Sequence, residues 1–557
     1  MSETVQLPRT MVDWLRVFGP GAIMASLTIG TGELIFSTRG GALFGYHILS
    51  VFALTSLLKW TLVISTSRHM ILTGVHPYER MLELPGPRGW LPIMLFLISI
   101  VAMPVWISFH SGVLGNLTTW LTGTQHLFHG GMDYIWGASI LLAVLILSAT
   151  GGYEVLEKTQ TGVVLTMVLC AGLTLVLYKP DWLQLLLGVV PHSMTYPDWL
   201  PNRYPEIAKH SEWVEVTRYV GVIGGAGFDY LSYTSWLREK SWGILPHRAT
   251  PQMLDEIAAD PQHVVRKWIN APIVDCAISF LLVVVFSAVF VASGAMFLGP
   301  EHVVPDEENM LNLQARFVTQ IHPWLLPLYV VGAFLTMLGT LYGTVEIACS
   351  VADEILRSFI SDWTKDRARR LRRGIIAWCA SAAFVILGWL FIRQAFFANA
   401  VLAEPAATIT ATTVIATTTD TQSIGPIPTP DATSSQEPTP LKKPRLLLGV
   451  MTPVNLFTGV LSCGMICMLT LWMDRRWLPP ALRPPGYLAG LNFLGGVLFL
   501  VLGIKGFWDN ENRVLAVGGI VGLFFMSLLI ATRIGPPLLL QKPQLLPGQE
   551  VTDDRRR

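Results

Sequence analysis

The stretch GTGELIF, residues 30–36, sets a carboxylate, Glu33, in the middle of the first apolar segment of the chain. A charged group at the centre of a bilayer costs about 2.5 kcal/mol or more, so it persists only where it faces protein, water or a ligand. Its neighbours disfavour a regular helix. Gly19-Pro20-Gly21 opens the segment, Gly30 and Gly32 flank Thr31, and Gly40-Gly41 follow. Each interior glycine costs about 1 kcal/mol relative to alanine, so the helix is expected to break around Gly30 to Gly32. Freed carbonyls and amides would then line a cavity.

Some 190 residues on, VGVIGGAGFDYLSYTSWL repeats the pattern, with Gly221, Gly224, Gly225 and Gly227 followed by Asp229. Interrupted apolar segments at corresponding positions of two halves point to a transporter site between inverted repeats. Glu33 and Asp229 are the candidate cation ligands, with Gly30, Thr31, Gly227 and Ser232 as further binding positions. Glycines that merely allow close helix packing, with each acid held by a neighbouring side chain, are the competing reading.

The wider composition supports a membrane setting. The 557 residues are 52% hydrophobic and 14% charged, with net charge +1 and mean hydropathy +0.50. Windows such as WGASILLAVLILSA and SFLLVVVFSAVFVASGAMF carry no charge, and each spans ~30 Å of hydrocarbon once its flanks are added. About twelve spans are expected, near 17–44, 46–73, 90–121, 134–151, 155–178, 216–237, 270–298, 323–355, 374–395, 447–473, 485–505 and 513–533. Lys and Arg gather in alternate loops, above all Lys365, Arg367, Arg369, Arg370, Arg372 and Arg373, whereas PEHVVPDEENM on the other side is acidic. The positive-inside rule then places both termini in the cytoplasm of a multi-pass protein of the plasma or inner membrane.

The expected organisation is a cytoplasmic tail (1–16), a first repeat of five helices (17–178), an outside loop (179–215), and a second repeat (216–473). Two further helices (474–533) and a cytoplasmic tail (534–557) follow. Within the second repeat, residues 396–446 are a Thr/Pro-rich stretch too poor in apolar residues to fold alone, and they are read as a disordered outside loop. The N-terminus lacks a signal-peptide pattern, so the first span is expected to be retained. The six cysteines fall in apolar stretches and read as small buried side chains. Asn116 matches a glycosylation sequon, a weak pattern.

The stretch FGPGAIMASLTIGTGELIFSTRGGALFGY resembles the first helix of the Nramp divalent-metal transporters, with a Gly-Pro-Gly opening and a Gly-Ala-x-Phe-Gly-Tyr close. INAPIVDCAISFLLVVVFSAVFVASGAMF is similar to the family's seventh helix, with its early Asp at Asp275, and GTLYGTVEIACSVADEILRSF resembles the eighth. The resemblance implies an all-α integral membrane protein of the LeuT type (APC superfamily), a five-plus-five inverted repeat with two added helices. It also implies symport of a divalent metal ion.

The signature departs from the family. Its Asp-Pro-Gly-Asn falls on Gly30-Thr31-Gly32-Glu33, so the metal-binding Asp is glycine and the charge lies three residues later. Its Met-Pro-His falls on Gly227-Phe228-Asp229, without the thioether that favours softer transition metals. An all-oxygen site of Glu33 and Asp229 would suit Mg²⁺ or Mn²⁺, the former keeping several waters. Metal and proton would compete for the same oxygens, one route to coupling. In the third helix, VWISFHSGVLGNL carries His110 where the family has proton-route acids. His110 is a proton-relay candidate, or equally a packed polar contact beside Ser108 and Ser111. Asp275 and Glu346 complete the proton-coupling set. Asp275 reads as well as a helix-start anion, and Glu346 and Lys59 as structurally paired charges.

The expected function is secondary active transport of a divalent cation of the Mn or Mg class, coupled to protons. The alternatives are a carrier of an amine or amino acid, and a transport-inactive sensor. No nucleotide loop, nucleophile elbow or zinc motif appears, so no enzyme is expected. The partners are the lipid bilayer and the transported ion or small solute, with no resident cofactor and no nucleic acid.

Overall fold

The computed structural model describes residues 18–305, 325–360, 362–401, 453–510 and 513–539, with residues 8 and 13. Most of the expected tails (all but residues 8, 13 and 534–539), most of loop 396–446 and the acidic end of PEHVVPDEENM lie outside the described residues.

The first span consists of two helices, α1 (Pro20–Thr28) and α2 (Thr31–Phe44). Uninterrupted helices follow: α3 (Ile48–Thr73), α4 (Trp90–Thr122), α5 (Met132–Thr150) and α6 (Tyr153–Tyr178). The sixth span is again split, into α7 (Glu212–Val222) and α8 (Gly227–Lys240). Then come α9 (Asn270–Ser293), α10 (Leu325–Phe359), α11 (Lys365–Val401), α12 (Ser462–Trp477, entered through a wide turn over Leu456–Leu461), α13 (Gly486–Trp508) and α14 (Arg513–Leu539). Ten helical segments among the described residues are long and apolar enough to cross a membrane. The first of these, Gly32–Thr73, joins most of α2 to α3. The halves of the broken spans, 9 to 14 residues long, are each too short to qualify alone, and counting each broken span once beside the span of α3 gives the expected twelve.

The broken spans form the axis of the molecule. α1 packs against α6, α8, α9 and α10, while α7 packs against α2 and α3. α1, α2 and α8 carry little amphipathic contrast because protein surrounds them, whereas α7 is amphipathic and exposes Trp213. Ile23, Met24, Leu34, Phe228 and Tyr230 are buried in one apolar core. Two close crossings are set by glycine. A Cβ on Gly41 would lie 2.3 Å from the Val291 carbonyl oxygen, and one on Gly294 2.0 Å from that of Thr38, so α2 and α9 meet backbone to backbone.

Two expectations are corrected, and the weak sequon acquires a structural setting. Residues 179–215 are not a plain loop: they form short helices over Trp182–Leu187, Leu200–Arg203 and Pro205–Ala208, with Tyr196 stacked on Phe44 at 5.6 Å. α11 runs to Val401 rather than stopping before residue 396, because IRQAFFANAV holds no helix breaker. Asn116 is not displayed for modification, since it lies within α4 and its side-chain amide donates to Asp133 at 2.9 Å.

Candidate functional site

At the first break Ile29 leaves helical geometry (φ −81°, ψ 83°), and extended Gly30 precedes α2. At the second, Gly224 (φ +79°) and Gly225 (φ +94°) are both left-handed, a conformation that costs a residue with a Cβ ~1–2 kcal/mol. Crowding adds to this, for a Cβ on Gly225 would meet Thr28 at 2.6 Å and the Asp229 carboxylate at 2.8 Å.

Each restarted helix carries its acid at the third position. Glu33 accepts from the backbone N–H of Gly30, its own helix cap, at 3.0 Å, and Asp229 accepts from that of Ala226 at 2.7 Å. These bonds satisfy N–H groups that a helix start leaves unpaired, and the anions lie at the favourable end of the helix dipole. Glu33 does more. Its second oxygen accepts from the N–H of Gly224 at 3.0 Å, so one carboxylate ties the two breaks together across the molecular axis.

The carbonyls freed by the second break are not left for an ion, contrary to expectation. The Lys59 ammonium, fully buried on α3, donates to the carbonyls of Val220 (2.9 Å), Ile223 (2.7 Å) and Gly225 (2.7 Å). Tyr230 donates its hydroxyl to the Gly224 carbonyl at 2.6 Å. The Gly225 N–H returns to Val222 at 3.2 Å. The whole turn is hydrogen-bonded, as buried backbone must be, and Lys59 is the group that the sequence reading underrated.

Glu33 and Asp229 line one cavity of about 160 Å³. Gly30, Thr28 and His110 line it as well, together with Thr340 and Thr344 of α10, Thr458 and Asn455 before α12, Arg218 of α7, and the rings of Phe36, Trp106, Phe109 and Phe228. The threonines, Asn455 and Arg218 were not anticipated. Thr340, Thr344, Thr458 and Asn455 are ordinary polar residues in apolar segments that reach the cavity through the packing of α10 and the entry to α12 against the breaks, while Thr28 and Arg218 reach it from the broken spans themselves. His110 is buried and stacks on Trp106, with ring centroids 5.6 Å apart. Thr31 opens α2, and its side chain lies outside the described residues.

The remaining candidates are not brought to this cavity. Ser232 does not line it, and its hydroxyl is buried without a hydrogen-bond partner. Gly227 instead faces Ser462, whose Oγ would lie 2.3 Å from a Cβ there. Asp275 caps α1: it accepts from the N–H groups of Gly19 (3.1 Å) and Gly21 (2.7 Å) and from the Tyr233 hydroxyl (2.8 Å). Glu346 accepts twice from the Arg372 guanidinium (2.7 and 2.8 Å) and once from Ser148 (2.6 Å), so it links α10, α11 and α5. The geometry of both acids is that of structural anchors. Among the described residues no group of three or more His, Cys, Asp or Glu could hold a metal ion.

The Glu346 network makes a direct prediction. Arg372→Ala should lower stability by about 3–5 kcal/mol by leaving a carboxylate unpaired, and the double change Glu346→Leu/Arg372→Leu should recover most of it. Unfolding midpoints of the purified variants check this. A double variant no more stable than the single one counts against a structural pair.

Residues 21–429 match the family model described as natural resistance-associated macrophage protein-like, Nramp. The divalent metal cation transporter MntH of Listeria welshimeri is 26% identical over 201 residues, 35% of this chain and 42% of that protein. MntH of Agrobacterium fabrum is 26% identical over 196 residues, 33% and 39% of the two chains. The chain thus aligns with less than half the length of these curated relatives. A solved structure of the Eremococcus coleocola manganese transporter superposes with a TM-score of 0.58 at 16% identity, covering 95% of this chain and 97% of that one. The same transporter in complex with an aromatic bis-isothiourea compound gives 0.59 at 15% identity. These likenesses show the fold, the LeuT-type inverted repeat.

Proposed function

This chain belongs to the Nramp family, and from that premise we propose that it is a secondary active transporter of a divalent cation of the Mn or Mg class, coupled to protons by alternating access. The observation that carries the reading is the shared cavity of Glu33 and Asp229 at two matched helix breaks. Each carboxylate has about four acceptor directions; Glu33 spends two on backbone N–H groups and Asp229 one. Both carboxylates thus line the cavity with acceptor capacity to spare, beside Thr28, Thr340 and Asn455. One water needs only ~10–15 Å³ of such space, so 160 Å³ admits an ion with part of its hydration shell. That suits Mg²⁺, which sheds water reluctantly, better than a fully stripped ion. His110 is the proposed proton relay at the cavity wall. The protein is proposed to lie in the plasma or inner membrane with both termini cytoplasmic.

A second reading is favoured by one observation, the four aromatic rings around the same carboxylates. Rings and acids together recognise organic cations, and an amine would need no cluster of three metal ligands. Uptake by purified protein in liposomes separates the two. Saturable Mn²⁺ or Mg²⁺ entry accelerated by an inward proton gradient supports the first, amine entry without metal flux supports the second, and neither flux overturns both.

Position 30 offers a sharper test. A Cβ on Gly30 would lie 2.4 Å from the Thr340 hydroxyl oxygen, so Thr340 stands where the family's Asp side chain would go. Gly30→Asp alone should destabilise the protein through that clash. Gly30→Asp/Thr340→Ala should fold and bind Mn²⁺ at least ~10-fold more tightly, about 1.4 kcal/mol. Calorimetric titration with Mn²⁺ checks this, and equal affinity for wild type and double variant argues against a cation at this break.

A further inference from the structure

We propose that Lys59 is a built-in cation: its ammonium fills a carbonyl cage at the end of α7 that would otherwise take a free monovalent cation, and it thereby holds the sixth-span break in shape. The inference stands on geometry and does not depend on the identity of the cargo.

A compact ammonium has three donors, and all three meet carbonyl oxygens at 2.7–2.9 Å, those of Val220, Ile223 and Gly225. These oxygens converge because α7 ends at Val222 and the chain then turns through left-handed Gly224 and Gly225. Carbonyls gathered at a half-helix C-terminus, the negative end of its dipole, are the chemistry by which broken-helix transporters hold small cations. Here the site is occupied by a side chain from a neighbouring helix. The methylene stem of Lys59 runs beside Gly224, where a Cβ would lie 3.5 Å from its Cδ, so the residue fills space as well as supplying charge.

The cage is joined to the transport cavity. Gly224, between two of the caged carbonyls, donates its N–H to Glu33, and Tyr230 closes its carbonyl. With its third donor on Gly225, Lys59 holds the turn in the geometry that lets Glu33 bridge both breaks. It also places one fixed positive charge behind Glu33 and Asp229, so the acids are not left as an uncompensated pair in the membrane interior. Lys59 is therefore a positioning residue: it acts on the cargo through the turn and Glu33, and it is not one of the residues lining the cavity.

Chemical rescue tests the proposal on the full-length protein in detergent and liposomes. Lys59→Ala empties the cage and the space held by the side-chain stem, whereas Lys59→Met removes the charge and keeps that space filled. Both variants should unfold several degrees below wild type and lose most uptake. n-Propylammonium should raise the Lys59→Ala midpoint saturably, by more than it raises wild type, and restore uptake, with no such gain for Lys59→Met. Tetramethylammonium, which has no N–H to donate, should do nothing. Rescue by Na⁺ or K⁺ would equally show that the cage accepts a free cation. If Lys59→Ala is recovered folded only when expressed with the amine, the folded yield replaces the midpoint as the readout. Wild-type stability and uptake in both variants, or a Lys59→Ala protein that gains no more than wild type from any of these cations in midpoint, uptake and yield, overturns the proposal. Because the readout is the difference from wild type, an amine that binds the transport cavity does not mimic rescue, and failure of divalent transport leaves the test intact.

Discussion

Glu33→Ala is expected to reduce divalent-cation uptake to the level of empty liposomes and to destabilise the protein together with it. The substitution leaves the buried N–H groups of Gly30 and Gly224 without acceptors; at ~1–3 kcal/mol each, the loss is about 2–6 kcal/mol. It also separates the two breaks, since no other bond described here runs directly from α2 to the Gly224–Gly225 turn. Glu33→Gln distinguishes the roles. Its amide oxygen can serve one N–H while its NH₂ faces the other, so the variant should fold with a smaller loss yet still fail to move the ion, because the negative charge is gone. Unfolding midpoints and Mn²⁺ or Mg²⁺ uptake, measured on the same preparations, check both. A Gln variant that transports at the wild-type rate would remove Glu33 from the binding site and leave it as a helix cap.

Asp275→Ala should be as damaging to stability and for a different reason. Asp275 is fully buried and accepts three hydrogen bonds, two from the start of α1 and one from Tyr233. Losing them leaves two backbone N–H groups and a hydroxyl orphaned, about 3–5 kcal/mol. Asp275→Asn keeps an oxygen for part of that set and should recover a folded fraction whose uptake still responds to a proton gradient, because the residue caps α1 and does not line the cavity. Wild-type stability combined with loss of proton-driven uptake in Asp275→Asn would instead return this acid to the proton route.

The two breaks were legible because their cause is local. Glycine's conformational cost and the expense of an acid in hydrocarbon act within one turn of chain, so GTGELIF and GGAGFD announced both interruptions and both carboxylates. The cavity wall was less legible. Thr340, Thr344, Asn455 and Arg218 acquire a role only from the helices they face, and Ser232, on the face of α8 that carries Asp229, does not line the cavity because three residues carry it about 4.5 Å further along the helix axis.

By itself, then, the sequence determined a twelve-span membrane protein with matched breaks in its first and sixth spans, because hydropathy, helix propensity and charge placement are properties of contiguous residues. Only the tertiary structure decided what the charges do. Lys59 meets carbonyls 161 to 166 positions away, Asp275 meets amides more than 250 positions away, and Glu33 reaches Gly224 across 191 residues. In a low-dielectric interior each buried charge must find a partner, and which partner it finds depends on how the helices cross.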